Sequence, residues 1–211
     1  MRHGERNGQP DLFPPNGPFL PGVQDCEGTR FESVDFSPLD VAEHTFENCT
    51  FSSCHFREMD MRGARFHSCG LENCELVLCK TTHVRLNGVS FKSCKVMGIN
   101  FATCDKFGFS PAFEDCVLES VAFFGNGMKR GKIVNCRMID SEIIESDFRE
   151  ADFSDTSFQR VTFQNCMLEK ADFRSACGYA IDPATNKLRG ARFRLPEAVS
   201  FLGFLGIKIE E

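Results

Sequence analysis

The chain has 211 residues, a formal net charge of −6 and a mean hydropathy of −0.23, with 23 Phe and 12 Cys against one Tyr and no Trp. That length allows one elongated domain or a compact domain with a small appendage. The negative charge argues against general nucleic-acid binding, which needs cationic neutralisation of phosphates. The first stretch, MRHGERNGQPDLFPPNGPFLPG, is rich in Pro and Gly and lacks the apolar segment of a signal peptide. Residues 1–22 therefore read as a flexible arm. No run approaches the roughly 18 apolar residues of a membrane span, so a cytoplasmic protein with reduced thiols is expected.

From Phe31 onward a period of five dominates. Every fifth residue runs Phe31, Phe36, Val41, Phe46, Phe51, Phe56, Met61, Phe66, Leu71, Leu76, Thr81, Leu86, Phe91, Val96 and Phe101, and fourteen of these fifteen are apolar. The phase breaks and resumes at Phe113, then holds through Phe173 with an apolar residue at all thirteen positions. Two residues before each of these lies a second slot filled by small or slender side chains, and ten of the twelve Cys occupy it, all but Cys26 and Cys177. Neither a helix (3.6 residues per turn) nor a strand (two) accommodates period five. A coil that turns a corner every five residues does, with the central and minus-two side chains pointing inward. Cysteine pairs twenty apart, such as Cys49 and Cys69, are consistent with four five-residue units per coil, although any slot residue must recur at multiples of five.

The units ADFRS, ADFSD, SDFRE and CTFSS resemble the pentapeptide-repeat family over roughly residues 25–175. The resemblance implies an all-β, right-handed quadrilateral β-helix spanning 23–194, with seven to eight coils making a rod roughly 35 Å long at about 4.8 Å per coil. A short C-terminal capping and dimerisation helix is expected over 195–211.

Between Cys104 and Pro111 the phase shifts by two residues. Asp105, Lys106, Phe107, Gly108, Phe109 and Ser110 read as a kink or projecting loop, either an insertion tolerated at a corner or a partner-binding loop. Phe107 and Phe109 have no inward slot assigned to them, which favours the second reading. Beyond Phe173 the repeat fades through a turn region, Cys177 to Gly190, and LPEAVSFLGFLG reads as a short helix. Pro196 suits its first position, Glu197 the N-terminal dipole and Gly206 its stop. Leu195, Ala198, Val199, Leu202 and Leu205 share one face, expected to cap the β-helix. Phe201 and Phe204 point away and are expected, with Leu202 and Leu205, at a dimer interface; the alternative is a monomeric cap. This segment also resembles the C-terminal module of the pentapeptide proteins that protect DNA gyrase, the Qnr and albicidin-resistance proteins. That resemblance implies a two-fold dimer about 70 Å long, spanning roughly 20 base pairs.

Catalytic chemistry is not legible. The C-x4-C spacing puts successive sulfurs on different walls, unlike a metal site, so core packing explains the cysteines. His44 takes a minus-two slot, while His55, His67 and His83 should face solvent. No nucleophile set, phosphate loop or dinucleotide fingerprint appears, so neither enzyme activity nor a metal or cofactor is expected.

Charge is banded. Residues 1–60 carry 11 acids and 4 bases, 61–139 carry 6 and 11, 140–172 carry 9 and 3, and 173–211 carry 4 and 6, giving −7, +5, −6 and +2. Asp140, Glu145, Glu150 and Asp155 are five apart and form a ring over four walls, whereas Asp152 and Asp172 align on one. With Asp147 these make up the candidate acidic surface, read either as a mimic of DNA or as a solubilising coat. The resemblance implies a dimer that engages a type II topoisomerase and relieves poisoning by a quinolone or a peptide toxin. The competing expectation is a scaffold for some other protein partner.

Overall fold

The computed structural model describes residues 25–207; the expected arm at 1–22 and the last residues of the tail lie outside the described part. Within it, three-residue strands pair in parallel with strands one coil away. Asp25 sits beneath Thr45, Thr45 beneath Arg65 and Arg65 beneath Arg85, a twenty-residue step that corresponds to four five-residue units.

The strands build a four-walled parallel β-helix. The first wall contains Asp25–Glu27, Thr45–Glu47, Arg65–His67 and Arg85–Asn87. The second runs from Arg30–Glu32 through Thr50–Ser52, Gly70–Glu72, Ser90–Lys92 and Ala112–Glu114 to Ile133–Val134. The third runs from His55–Arg57 to Ser157–Gln159, and the fourth contains Ala122–Phe124, Glu142–Ile144 and Thr162–Gln164. Single bridges carry the stacking on, from Lys132 to Asp152, Asp172 and Arg192 on the second wall.

Each central residue is buried, and along one wall the rings lie face to face at the strand spacing. Phe31 and Phe51 are 4.8 Å apart, Phe101 and Phe123 4.8 Å, and Phe153 and Phe173 4.6 Å. Rings from adjacent walls meet edge to face, as Phe31 and Phe36 do at 5.3 Å. Burying one such ring contributes about 1.5–3 kcal/mol, so the recurring Phe is the main source of cohesion.

The corners carry the opposing cost. The second residue after most centres adopts left-handed backbone, for example Ser33 at φ 55°, Leu78 at 53° and Glu145 at 49°, which costs an L-residue about 1–2 kcal/mol. The amide it turns outward is used at once: Ser33 N–H donates to Ser52 O at 2.8 Å and Glu145 N–H to Gln164 O at 2.9 Å. Just beyond, the minus-two amide faces inward. At some corners it closes a turn onto its own coil, as Ala151 N–H does to Phe148 O. At others it donates to the minus-two side chain of the coil above: Cys54 to Cys74 Sγ, Cys94 to Cys116 Sγ, Val121 to Ser141 Oγ and Cys166 to Asn186 Oδ1.

These acceptors also donate back. Cys74 Sγ donates to Phe51 O and Cys116 Sγ to Phe91 O, both at 3.4 Å. The slot therefore selects slender side chains with a sulfur or oxygen because they pin one coil to the next. Cys26, one of the two cysteines outside that slot, stands beneath Phe46 as a central residue.

The phase shift is a real insertion. Ser90 pairs with Ala112, twenty-two residues on, and Lys95 with Val117, so two extra residues are absorbed at one corner while the walls stay in line.

Replacing Cys116 by Ala strips Cys94 N–H of its acceptor and should cost about 1–3 kcal/mol in denaturant unfolding. Cys116→Ser, which keeps an acceptor and a donor as Ser141 does, should recover most of that loss.

Candidate partner-binding surfaces

The interior is filled, so function must be sought outside it. Burial pushes the Cys79 thiol up to about 11 and the Cys104 thiol up to about 12, which keeps both protonated and unreactive near neutrality. Among the described residues no group of three or more His, Cys, Asp or Glu side chains is arranged to hold a metal ion. Nor is any described helix long and apolar enough to cross a membrane. Two hollows, of 410 Å³ at Ser154, Asp172, Arg174, Ser175 and Arg194 and of 310 Å³ around Lys92 and Lys132, mark the outside of the second wall. In the first, the Asp172 carboxylate is taken up by Arg174 and Arg192. His44 is half-buried with Nδ1 2.9 Å from Ala42 O; His67 and His83 are exposed, while His55 is half-buried against Glu75.

The acidic band is less free than its composition suggests. Asp140, Glu145, Glu150 and Asp155 are the left-handed residues of four successive corners, so they do ring the rod. Asp140 is held by Arg160 at 2.7 Å, Glu150 by Arg130 at 3.0 Å and Asp147 by Arg149 at 2.6 Å. The guanidinium beside each carboxyl holds it below the usual carboxylate range. Asp152 lies beneath Asp172 as expected. Asp172, 9% exposed, accepts from Arg174 at 2.8 Å and lies 2.9 Å from Arg192. Of the seven candidate acids, Glu145, Asp152 and Asp155 form no ion pair among the described residues.

At the insertion the expectation for Phe109 fails. Phe109 is 4% exposed and meets the Phe101 ring edge to face at 6.1 Å, so it refills the first-wall core where the phase broke. An aromatic three residues beyond the lost slot can reach back into it. Phe107 is left alone outside, 84% exposed. The loop is pinned rather than loose. Asp105 pairs with Arg85 at 2.9 Å and caps Phe107 N–H at 3.0 Å. Lys106 Nζ donates to Phe124 O at 2.5 Å, and Gly108 takes φ 71° close against Asn87.

The C-terminal cap keeps Phe204 outside as expected but turns Phe201 inward and leaves Leu195, Val199 and Leu205 outside, against expectation. Glu197–Val199 forms a 3-10 turn leading into the helix Ser200–Phe204, with Gly206 in left-handed conformation at its end. Phe201 packs inward, 4.7 Å from Phe193 and 6.1 Å from Tyr179, and plugs the last coil. Leu195, Val199, Phe204, Leu205 and Ile207 are left exposed. The helix is too short for a full apolar stripe, so the ring stack at Phe173, Phe193 and Tyr179 selects the aromatic as its plug. Leu202 is half-buried. Burial, with Glu197 nearby, pushes the Tyr179 hydroxyl up to about 12.

Two exposed apolar side chains escaped the sequence reading, Leu78 at 55% and Phe124 at 48%. They sit two and one residues after a centre, and their apolar character at outward positions was the signal available.

Residues 45–80 and 136–177 match the family model for pentapeptide repeats, in 8 copies. No curated protein matches the chain by sequence. Among solved structures, a trypsin-treated form of QnrB1, a plasmid-mediated fluoroquinolone resistance protein, superposes with TM-score 0.57 at 18% identity, over 90% of this chain and 92% of that one. Full-length QnrB1 gives 0.53 at 15% identity, over 87% and 100%. HetL, a pentapeptide repeat protein involved in heterocyst differentiation regulation from the cyanobacterium Nostoc sp. strain PCC 7120, gives 0.54 at 12% identity, over 82% and 87%. At these identities the likeness is one of fold.

Phe109→Ala should lose about 3–5 kcal/mol of stability, while Phe107→Ala should stay within about 0.5 kcal/mol; denaturant midpoints distinguish the two. Because Arg174 and Arg192 lower the Asp172 carboxyl from its ordinary 3.8, its contribution is complete above that pH. It is lost as the pH falls through the depressed folded value. Asp172→Asn should therefore flatten the acid limb of the stability–pH curve.

Proposed function

The chain belongs to the pentapeptide-repeat family, and from that premise we propose that it is a non-catalytic rod that binds a type II topoisomerase, chiefly DNA gyrase, and relieves poisoning by a quinolone or a peptide toxin. The arrangement at the C-terminal end carries this reading. The exposed face of Leu195, Val199, Phe204, Leu205 and Ile207 suits burial against a second copy. A two-fold pairing there would set two acid-bearing bands, each beyond a collar of arginines, symmetrically about the centre. One rod rises from Phe31 to Phe193 over about 40 Å at 4.8 Å per coil. The pair would span about 80 Å, enough for roughly 20 base pairs of a DNA-binding saddle. Glu145, Asp152 and Asp155 supply the unpaired charge for a cationic saddle, and Phe107 offers an additional contact. QnrB1, a fluoroquinolone resistance protein, shares this fold.

A second reading, a scaffold for a different protein partner, is favoured by the arginines that neutralise Asp140, Asp147 and Glu150. HetL shares the fold as well.

The first reading predicts that the protein restores supercoiling by gyrase in the presence of a cleavage-stabilising quinolone, and that Phe107→Ala weakens the rescue. Absence of both rescue and inhibition at micromolar protein would sink it in favour of the scaffold. The dimer is checked separately by light scattering. Phe204→Asp with Leu205→Asp should halve the mass without unfolding the rod, since neither side chain is buried; an unchanged mass rejects this interface.

A further inference from the structure

We propose that the corner shared by the first and second walls, over the last coils of the rod, is a sequence-independent docking face for the phosphate backbone of double-stranded DNA. The formal net charge of −6 is a sum over faces that differ in sign. Single bridges carry the first wall from Gly127 through Asp147 and Met167 to Lys187, and the second from Lys132 through Asp152 and Asp172 to Arg192. The face is therefore built from residues 127–134, 147–154, 167–174 and 187–194. Together these hold ten Lys and Arg against five Asp and Glu, a net of +5. The corners on either side add Glu145 and Asp155 and leave +3. The corresponding stretches of the third and fourth walls, 137–144, 157–164 and 177–184, hold two cations against three carboxylates.

Exposure sharpens the sign. Nine of the ten cations are exposed, all but Arg149, whereas none of the five carboxylates is. Asp172 is held by Arg174 and Arg192, Asp147 by Arg149, and Glu150 by Lys129 and Arg130. Lys132, Lys170, Lys187, Arg189 and Arg194 form no ion pair among the described residues. The carboxylates thus make an inner layer, and the outermost layer is cationic. The last of the four stretches, 187–194, has four cations and no acid. Glu114, paired with Lys92, bounds the face below, and the half-buried Glu197 bounds it above.

The chemistry selects phosphate on a stiff duplex. Six of the ten cations are Arg, whose planar guanidinium pairs bidentately with phosphate. None of the exposed large apolar side chains of the described residues falls within the four stretches. The face therefore offers no stripe to an acidic amphipathic helix, no ring on which an unpaired base could stack and nothing to insert into a bilayer. From Lys132 to Arg192 it rises three coils, about 14 Å at 4.8 Å each. Over that length one DNA strand carries about four phosphates at 3.4 Å each. Contacts of this kind position a duplex without reading its sequence. This face goes beyond the topoisomerase reading and is tested with no enzyme present, so either can fail without the other.

The probe is a fluorescein-labelled duplex of about 20 base pairs, titrated with the full chain by anisotropy at low salt, beside a polyglutamate peptide carrying the same label. Expected is saturable binding of the duplex, with log K falling against log salt at a slope of about −3 to −4. Two duplexes of unrelated sequence should bind alike. Lys187→Glu with Arg189→Glu should weaken binding at least about tenfold and flatten the slope by about two. Lys95→Glu with Arg137→Glu makes the same charge change at exposed, unpaired cations of the third wall and should leave binding within about threefold. Circular dichroism verifies that these exposed substitutions leave the rod folded. No saturable binding, an equal loss from both pairs, or tighter binding of polyglutamate overturns the proposal. The last outcome assigns the face to an acidic protein segment.

Discussion

A backbone that turns a corner every five residues leaves an amide pointing into the rod just beyond each turn, and an unpaired buried amide costs about 1–3 kcal/mol. The fold depends on where that amide goes. Where the turn closes on itself, as at Ala151 and Thr156, an alanine suffices in the coil above, Ala171 and Ala176. Where it does not, the coil above lowers a sulfur, hydroxyl or amide oxygen onto it, as Cys74, Ser141 and Asn186 do. The cysteines thus act as neutral connectors between coils, bonded on both sides. They share the task with serine, threonine and asparagine, which explains why one slot tolerates four chemistries.

The same stacking governs the outside. Side chains that are equivalent on successive coils lie one strand spacing apart, so a cation and a carboxylate twenty residues apart find each other almost automatically. Arg130 with Glu150 and Arg160 with Asp140 show this at twenty, and Lys92 with Glu114 at twenty-two across the insertion. Such exposed pairs add little stability individually, but they decide which charges a partner meets. A surface acidic by composition is patterned by whichever carboxylates lack an arginine above, below or two residues on.

Much of this was legible in the chain. The period of five, the inward Phe and the small second slot identify the β-helix because each coil repeats one geometric requirement at a fixed interval. The ring formed by Asp140, Glu145, Glu150 and Asp155 followed from the same arithmetic. What escaped depends on contacts between coils that the period does not encode. Phe109 was read as displaced, yet it returns to the core because Phe101 offers a ring to pack on. Phe201 took the inward role expected of Leu195, Val199 and Leu205 because a plug must fit the aromatic stack beneath it, which helical spacing cannot reveal. Neutralisation of Asp140 by Arg160 and of Glu150 by Arg130 is likewise a property of vertical neighbours, whereas Asp147 and Asp172 are also held by an arginine two residues on. Leu78 and Phe124 were hidden in plain sight, apolar letters at positions that look outward.

The insertion at 105–110 separates two kinds of length. Two residues are added to the chain, yet Phe113 stands directly above Phe91 and the walls continue undisturbed. Each coil touches only the coils above and below it, so stability in such a rod is a sum of neighbouring interfaces. The molecule therefore behaves as a graduated ruler. Corners can gain residues without moving any mark, whereas gain or loss of a whole coil shifts every feature beyond it by one division. The spacing between the insertion, the acidic ring and the capped end is thus adjustable only in whole divisions.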